Sequence, residues 1–313
     1  MAHTIRERLR RNAICILGWM VNWLFNHEAV FRVIGAINPR VRFPGTVFLV
    51  YPSRRPVFAL SRCETAFVNE FRWRAAITGV FRQGKRWGLT FAVTSSEPEL
   101  IDAQNAERLR TIAAQMERIR LLVRAERCAL AGVLPSVLHS RGVPHGTAEA
   151  EVAAECVVRA IEEVRRLEGM NGSPLIILGS RGFVGSRLME LLQSERVYAF
   201  DRINDAGKNN ASPEFPPADL HGERAILVNL TWADVLETYV DRMWKGLVVL
   251  NEVYPPPSRL CVQAIGDRGA SVYHLAGVEG FAAPPFPGVY SGGVPCCAAS
   301  TSADLKVLVV RLG

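Results

Sequence analysis

The sequence predicts an α/β protein in which a helix-rich α/β domain precedes a parallel-sheet domain covered by helices on both faces. Three observations predict it. Residues Leu175–Arg202 read as a short apolar strand, a glycine turn, an amphipathic helix, a second strand and an acid. Further apolar runs follow at Ala225–Leu230, Leu247–Leu250 and Ser271–Leu275, separated by helical stretches. Strands alternating with helices in this way form parallel sheets. Finally, Asn171-Gly172-Ser173-Pro174 breaks a long helical stretch just before the first strand and marks a boundary. The domains expected are therefore 1–170 and 171–313.

The bulk numbers fit two folded domains. The chain has 313 residues, of which 49% are hydrophobic and 21% charged, so it can bury a core and is not a disordered chain. Net charge is +7, which favours an acidic partner or an anionic surface. No Lys/Arg run is interleaved with aromatic residues, so no nucleic-acid groove is expected. Seven cysteines, an odd number, include no CxxC pair and no zinc spacing. No metal site is expected, and a reducing, cytoplasmic setting is.

In chain order, Arg6, Arg8, Arg10 and Arg11 precede an apolar stretch from Ala13 to Phe25. The stretch is too short to span a bilayer, which takes about 20 apolar residues. It reads as an amphipathic helix carrying Trp19, Trp23 and Phe25. Such a helix packs in the core or an interface, lines an entrance for a greasy substrate, or lies on a membrane surface, which would make the protein peripheral to the membrane. Val30–Ile37 reads as a second helix ending before Pro39, and Thr46–Tyr51 as a strand. Phe67–Ala76 has helical spacing, Thr78–Gly88 reads as a loop or hairpin, and Leu89–Val93 as a strand. A long helix is expected from Glu97 to about Ala125, with Leu109, Ile112, Met116, Ile119 and Val123 on its buried face. Thr147 is placed to cap a helix that runs to Leu167. In the second domain, Trp232–Trp244 and Leu260–Ile265 are the helical candidates.

The chemistry begins at the glycine turn, Gly179-Ser180-Arg181-Gly182-Phe183-Val184-Gly185. Gly179 permits the tight turn, Gly182 lets backbone approach a pyrophosphate, and Gly185 lets the helix pack close to the strand. The positive end of the following helix then faces the phosphates. Val184, Leu188, Leu191 and Leu192 form its apolar face. Asp201 falls 22 residues after Gly179, where an acid accepts hydrogen bonds from a ribose. This pattern is the dinucleotide-binding fingerprint of Rossmann-type domains, and the cofactor expected is NADH or NADPH. Asp201 favours NAD(H), whereas Arg202 beside it favours a 2′-phosphate, so the choice stays open.

Ligands in such sheets sit beyond the carboxyl ends of the strands. Thr231, Asn251–Tyr254 and Ala276-Gly277 should therefore gather with the glycine turn. Cys296 and Cys297 are the candidate nucleophiles. They follow Gly292-Gly293 and Pro295, and a helix starting there would lower a thiol pKa and favour attack on a thioester. The other five cysteines read as structural. His145, His274 and Glu279 are further polar candidates, and Arg82, Lys85 and Arg86 with Trp87 form a basic face suited to an acidic carrier protein. No tyrosine after the turn has a lysine four residues on, which argues against an ordinary short-chain dehydrogenase.

In this order, the segments resemble the long-chain acyl-[acyl-carrier-protein] reductases of the alkane pathway. The resemblance rests on Pro98-Glu99-Leu100 with its helix, Leu130-Ala131-Gly132 with Ser136, Gly146-Thr147, Gly179–Gly185, Val248–Pro255, Val272–Glu279 and Cys296-Cys297-Ala298. It spans roughly residues 45–300. It implies NADPH-dependent reduction of a fatty acyl thioester to an aldehyde, with Cys296 accepting the acyl group from a carrier protein or coenzyme A. The sequence departs from the family at Asp201, in its apolar N-terminal helix, and in lacking the family's helical segment beyond the cysteine. A divergent relative acting on another acyl group is the expectation. Two other readings remain open. One is a carbonyl or imine dehydrogenase with structural cysteines. The other is a non-catalytic nucleotide-binding module in a biosynthetic or membrane-associated complex.

Overall fold

A computed structural model of the chain describes residues 2–53, 62–143, 148–193, 195–201, 217–220, 222–232, 234–286, 288–290, 292–300 and 305–313. The chain divides into two compact units, Met1–Gly146 with Gly280–Phe286, and Thr147–Glu279 with Pro287–Gly313. Its class is α/β, with a helix-rich first unit and a Rossmann-like second one. The sequence boundary at residue 170 leaves the helix 148–168 in the first domain. In the units it belongs to the second, because its apolar face packs on the helix and strands of that sheet.

The first unit opens with α1 (Ala2–Phe25) and α2 (Glu28–Val41), followed by β1 (Thr46–Val50), α3 (Arg62–Glu70), β2 (Ala76–Gln83), β3 (Arg86–Ala92), α4 (Glu97–Ile101), α5 (Ala106–Val123), β4 (Arg127–Leu130) and α6 (Leu134–Ser140). Its sheet runs β2-β3-β1-β4, with a fifth strand from residues Phe281–Ala283 on the outer edge of β2. β1 is parallel to β3 and β4, while β2 and β3 form a hairpin that turns at Gly84 (φ 56°). The five α5 residues expected inside are all buried, each contributing about 1.5–3 kcal/mol relative to exposure.

Several boundaries differ from the sequence reading for local reasons. The helix expected from Glu97 to Ala125 is broken at Asp102, whose carboxylate accepts from the Gln104 N–H in an extended conformation. A side chain that bonds its own backbone competes with the helix. Pro39 does not stop α2. It sits in the last turn, and Asn38 ties that end down by donating to Pro44 O and Val123 O at 2.9 and 2.7 Å. The helix expected over Phe67–Ala76 ends at Glu70, and Ala76 already belongs to β2. Thr147 and His145 lie outside the described residues.

The second unit holds α7 (Ala148–Glu168), β5 (Leu175–Leu178), α8 (Phe183–Leu191), β6 (Val197–Phe200), β7 (Ala225–Asn229), α9 (Val235–Tyr239), β8 (Leu247–Asn251), α10 (Arg259–Asp267) and β9 (Ser271–Glu279). The chain then leaves as β10 (Phe281–Ala283) and returns as β11 (Gly293–Val294) and β12 (Val307–Leu312). Strand order is β6-β5-β7-β8-β9-β11, with β12 also paired to β9. β5 to β9 are all parallel, and only β11 and β12 run antiparallel. β5, β7 and β8 are buried along their whole length, as strands covered on both faces must be. The helix expected over Trp232–Trp244 is a short α9 followed by a 3-10 turn at Val240–Arg242.

Candidate functional site

β6 lies on one side of β5 and β7 on the other. The chain therefore reverses its direction of growth between β5 and β7, and the crevice at that switch point is where an open α/β sheet binds ligand. The glycine turn stands at its mouth. Gly179 adopts φ 90°, a region that favours glycine. A Cβ there would lie 2.8 Å from Thr231 Cγ2, so Thr231 packs directly on the turn. A Cβ on Gly185 would lie 1.9 Å from Gly179 O, so α8 approaches the turn more closely than any side chain allows. Gly182 is different. It is exposed, and only Gly179 O, at 3.2 Å, would meet its Cβ. The outer side of the turn is thus open backbone at the head of α8, whose cap residue Gly182 supplies no side-chain bond. This cradle fits a pyrophosphate.

The side chains of the turn divide by direction. Ser180 is buried and its hydroxyl donates to Phe200 O at 3.3 Å. Arg181 is exposed, Phe183 and Val184 are half-buried. Asp201 accepts from the Arg181 N–H at 2.8 Å, so the acid at the end of β6 also braces the turn. Arg202 lies outside the described residues. On α8 the buried face is Gly185, Leu188 and Leu192, whereas Leu191 is exposed.

Beyond the switch point, a buried polar row crosses the sheet at the ends of β7 and β8 and midway along β9. Asn229, Asn251 and His274 are in register on β7, β8 and β9, and none is accessible to solvent. Thr231 Oγ1 donates to Asn229 Oδ1 at 2.6 Å, and Asn229 Nδ2 donates to Asn251 Oδ1 at 2.8 Å. Asn251 Nδ2 donates to Val253 O at 2.7 Å and meets His274 Nδ1 at 3.0 Å. Nδ1 is therefore the acceptor, and the ring proton sits on Nε2, which has no hydrogen-bond partner among the described residues. Burial lowers the His274 pKa to about 4.

That depression sets a pH dependence. A histidine held neutral in the fold contributes its stability above its unfolded pKa near 6.5, and this is lost as pH falls toward 4. Between pH 7 and pH 5 the loss is about 2 kcal/mol from this residue. His274→Asn keeps an acceptor for Asn251 and removes the titration. Urea unfolding at the two pH values is expected to show a pH dependence smaller by about that amount in the variant.

Next to Asn251 stands Glu252, which the sequence places in the strand-end segment Asn251–Tyr254 without a role of its own. Its N–H donates to Asn229 O at 3.2 Å. Cys296 Sγ donates to its Oε1 at 3.6 Å. Burial pushes the Glu252 carboxyl above the usual carboxylate range. The Cys296 thiol is held well above its ordinary value by its hydrogen bond with Cys297, by burial and by the Glu252 charge. Cys156, on α7, faces the same cluster and is pushed to about 12 by burial and Glu252. Tyr290 is raised by burial and by the same thiols, and its ring packs on Tyr254 with centroids 5.4 Å apart.

Two expectations change here. Cys296–Ala298 forms a three-residue 3-10 turn rather than the start of a helix. No helix end therefore lowers the thiol pKa, and the surroundings raise it. Cys156 is not an isolated structural thiol, since it shares the electrostatic environment of Cys296 and Cys297. A lone helical cysteine carries no sequence signal for that. Glu279, by contrast, is exposed and pairs with Lys306 at 3.6 Å. In the first unit, Arg82 lies over the Trp87 ring and Arg86 pairs with Glu126. Among the described residues, no group of three or more His, Cys, Asp or Glu is placed to hold a metal ion.

No protein-family model and no curated protein sequence matches the chain. Among solved structures, a protein assigned as a malic enzyme (malate oxidoreductase) overlaps 76% of this chain and 67% of its own at 13% identity and a TM-score of 0.32. Glutamate dehydrogenase from Peptoniphilus asaccharolyticus overlaps 73% of this chain and 64% of its own at 14% identity and a TM-score of 0.33.

Proposed function

We propose that the second unit binds NAD(P)H at the glycine turn and that the protein reduces an acyl thioester to an aldehyde through Cys296. One observation carries this reading. A continuous series of contacts runs along the carboxyl edge of the sheet from the glycine turn to a thiol. Gly179 packs on Thr231, Thr231 donates to Asn229, Asn229 O accepts from the Glu252 N–H, and Glu252 accepts from Cys296. The turn ends β5 and Glu252 follows β8, two strands away, which is about 10 Å at ordinary strand spacing. A dinucleotide with its pyrophosphate on the turn extends over that distance.

The residues then have distinct tasks. Glu252, with its carboxyl pKa raised, takes the Cys296 proton as Sγ attacks the thioester carbonyl. The new C–S bond forms, the carrier's C–S bond breaks, and the carrier thiol leaves with that proton. A bound NAD(P)H supplies a hydride with its two electrons. Reduction of the Cys296 thioester then gives a hemithioacetal that collapses to the aldehyde and regenerates the thiol, with one proton taken up. The partner is an acyl thioester on an acidic carrier protein or coenzyme A. The resemblance of Tyr254-Pro255, Val278-Glu279 and Cys296 to the acyl-carrier-protein reductases supports this substrate class.

A second reading is favoured by the raised thiol pKa. In it the protein is an NAD(P)-dependent reductase of a carbonyl or imine, and the cysteines are structural. Incubation with NADPH or NADH and fatty acyl-CoA distinguishes the two. The expected result is nucleotide oxidation matched by aldehyde, and its loss after thiol alkylation. Oxidation with ketones or imines alone selects the second reading. Binding of nucleotide without any turnover selects a non-catalytic module.

A further inference from the structure

We propose that the first unit docks on an anionic lipid surface through the outer faces of α1 and α2. The inference does not depend on the reading of the nucleotide-binding unit. α1 is already packed on one side. Cys15 and Asn22 are buried, the Gly18 and Trp19 side packs on Phe67 of α3, and Asn22 accepts from the Ile77 N–H at 2.8 Å while donating to Ile77 O. Asn26 adds a bond to Ala75 O at 2.9 Å. A helix fixed in this way should turn a polar face outward. Instead Leu9, Ile16, Met20 and Trp23 form an exposed stripe opposite the packed face, with Leu9 65% and Trp23 74% accessible. On α2, Val33, Ile37 and Val41 recur every four residues and are also exposed.

Charge identifies the occupant. Residues 1–42 hold seven arginines and two glutamates, so they carry five of the chain's seven net positive charges. The rest of the chain is close to neutral. An apolar stripe with Trp, flanked by arginine, is what lies at the boundary between headgroups and acyl chains of an anionic bilayer. A second copy placed face to face would bring the same arginines together. No helix among the described residues is long and apolar enough to cross a membrane, so the mode is docking on the surface. A cleft of about 450 Å³, lined by Trp19, Met20, Trp23, Glu70, Phe71 and Arg74 among others, opens beside the stripe.

The test uses the full chain and sedimentation with vesicles of phosphatidylcholine, with and without phosphatidylglycerol. Binding to the anionic vesicles is expected, falling as salt rises, with little binding to phosphatidylcholine alone. A variant with Leu9→Glu, Met20→Glu and Trp23→Glu changes only exposed positions, and circular dichroism checks that it folds. It is expected to bind anionic vesicles at least about tenfold more weakly. Arg40→Glu, on the same face of α2, is expected to weaken binding at low salt and to matter less at high salt. No sedimentation with anionic vesicles, or binding unchanged in the triple variant, overturns the proposal. So does a dimer seen by light scattering that the triple variant dissociates without any vesicle binding, which assigns the face to a second copy.

Discussion

Cys296→Ala is expected to reduce acyl-thioester turnover by on the order of a thousandfold or more, because in the proposed mechanism Cys296 carries the acyl chain between carrier and hydride. Nucleotide affinity should be unchanged, since Cys296 sits two strands from the turn. Cys297→Ala separates the two thiols. Retained turnover assigns the chemistry to Cys296, and lost turnover with Cys296→Ala active assigns it to Cys297. Glu252→Gln keeps the shape of the cluster and removes the base, for an expected loss of about a hundredfold. The pH profile carries more information than the rate. Glu252 works as a base only when ionised, and burial has raised its pKa. The rate of acyl transfer is therefore expected to rise with pH through a point above the usual carboxylate range. In Glu252→Gln that limb should vanish and be replaced by one at the still higher pH where the Cys296 thiol ionises. The unsubstituted chain's limb retained at the same pH in Glu252→Gln would remove Glu252 from the mechanism.

The second large effect is expected at Gly185. Alanine there would put a methyl 1.9 Å from Gly179 O, 2.9 Å from Gly179 C and 3.0 Å from Ser180 C. All three atoms are backbone, so either the turn or α8 has to move. A destabilisation of about 3 kcal/mol or more is expected in urea unfolding, with loss of nucleotide binding. Gly182→Ala provides the contrast. Gly182 has φ −66° and an exposed Cβ position, so the fold should survive. A methyl on the outer side of the turn would still obstruct the approach of a pyrophosphate. The expected result is near-unchanged stability with nucleotide affinity lowered at least about tenfold. Equal affinity in Gly182→Ala and the unsubstituted chain would show that no phosphate rests on that backbone.

The second unit was legible because its chemistry is local. β5, β7 and β8 are covered on both faces, so each is a continuous apolar run bounded by polar residues. The glycine turn and Asp201 belong to one strand–helix–strand stretch and are read from spacing alone. What spacing hides is made by tertiary contact or by a competing side chain. Asp102 breaks a helix that hydrophobic periodicity runs straight through. Leu191 keeps the helical period of α8 yet is exposed, because Gly185 rather than Val184 sets the helix against the turn. Glu252 follows β8 and looks like a polar loop residue until the returning chain sets Cys296 beside it. That neighbour is 44 residues away. The same return changes the expectation for the cysteine. A helix start at Cys296 would lower the thiol pKa, whereas a 3-10 turn beside the half-buried Glu252 carboxyl raises it. His274 was a strand-end candidate, and its place in the Asn229–Asn251 row becomes visible only with the strand register.

A nicotinamide dinucleotide resting on Gly179–Gly185 is to be sought by hydrogen exchange of the full chain with and without NADPH and NADH. Saturable binding of at least one of them is expected, with protection concentrated in the turn, the first part of α8 and the Thr231 segment, and absent from Gly182→Ala at the same nucleotide concentration. Unchanged exchange across residues 175–192 with both nucleotides, or protection elsewhere that Gly182→Ala retains, would contradict it.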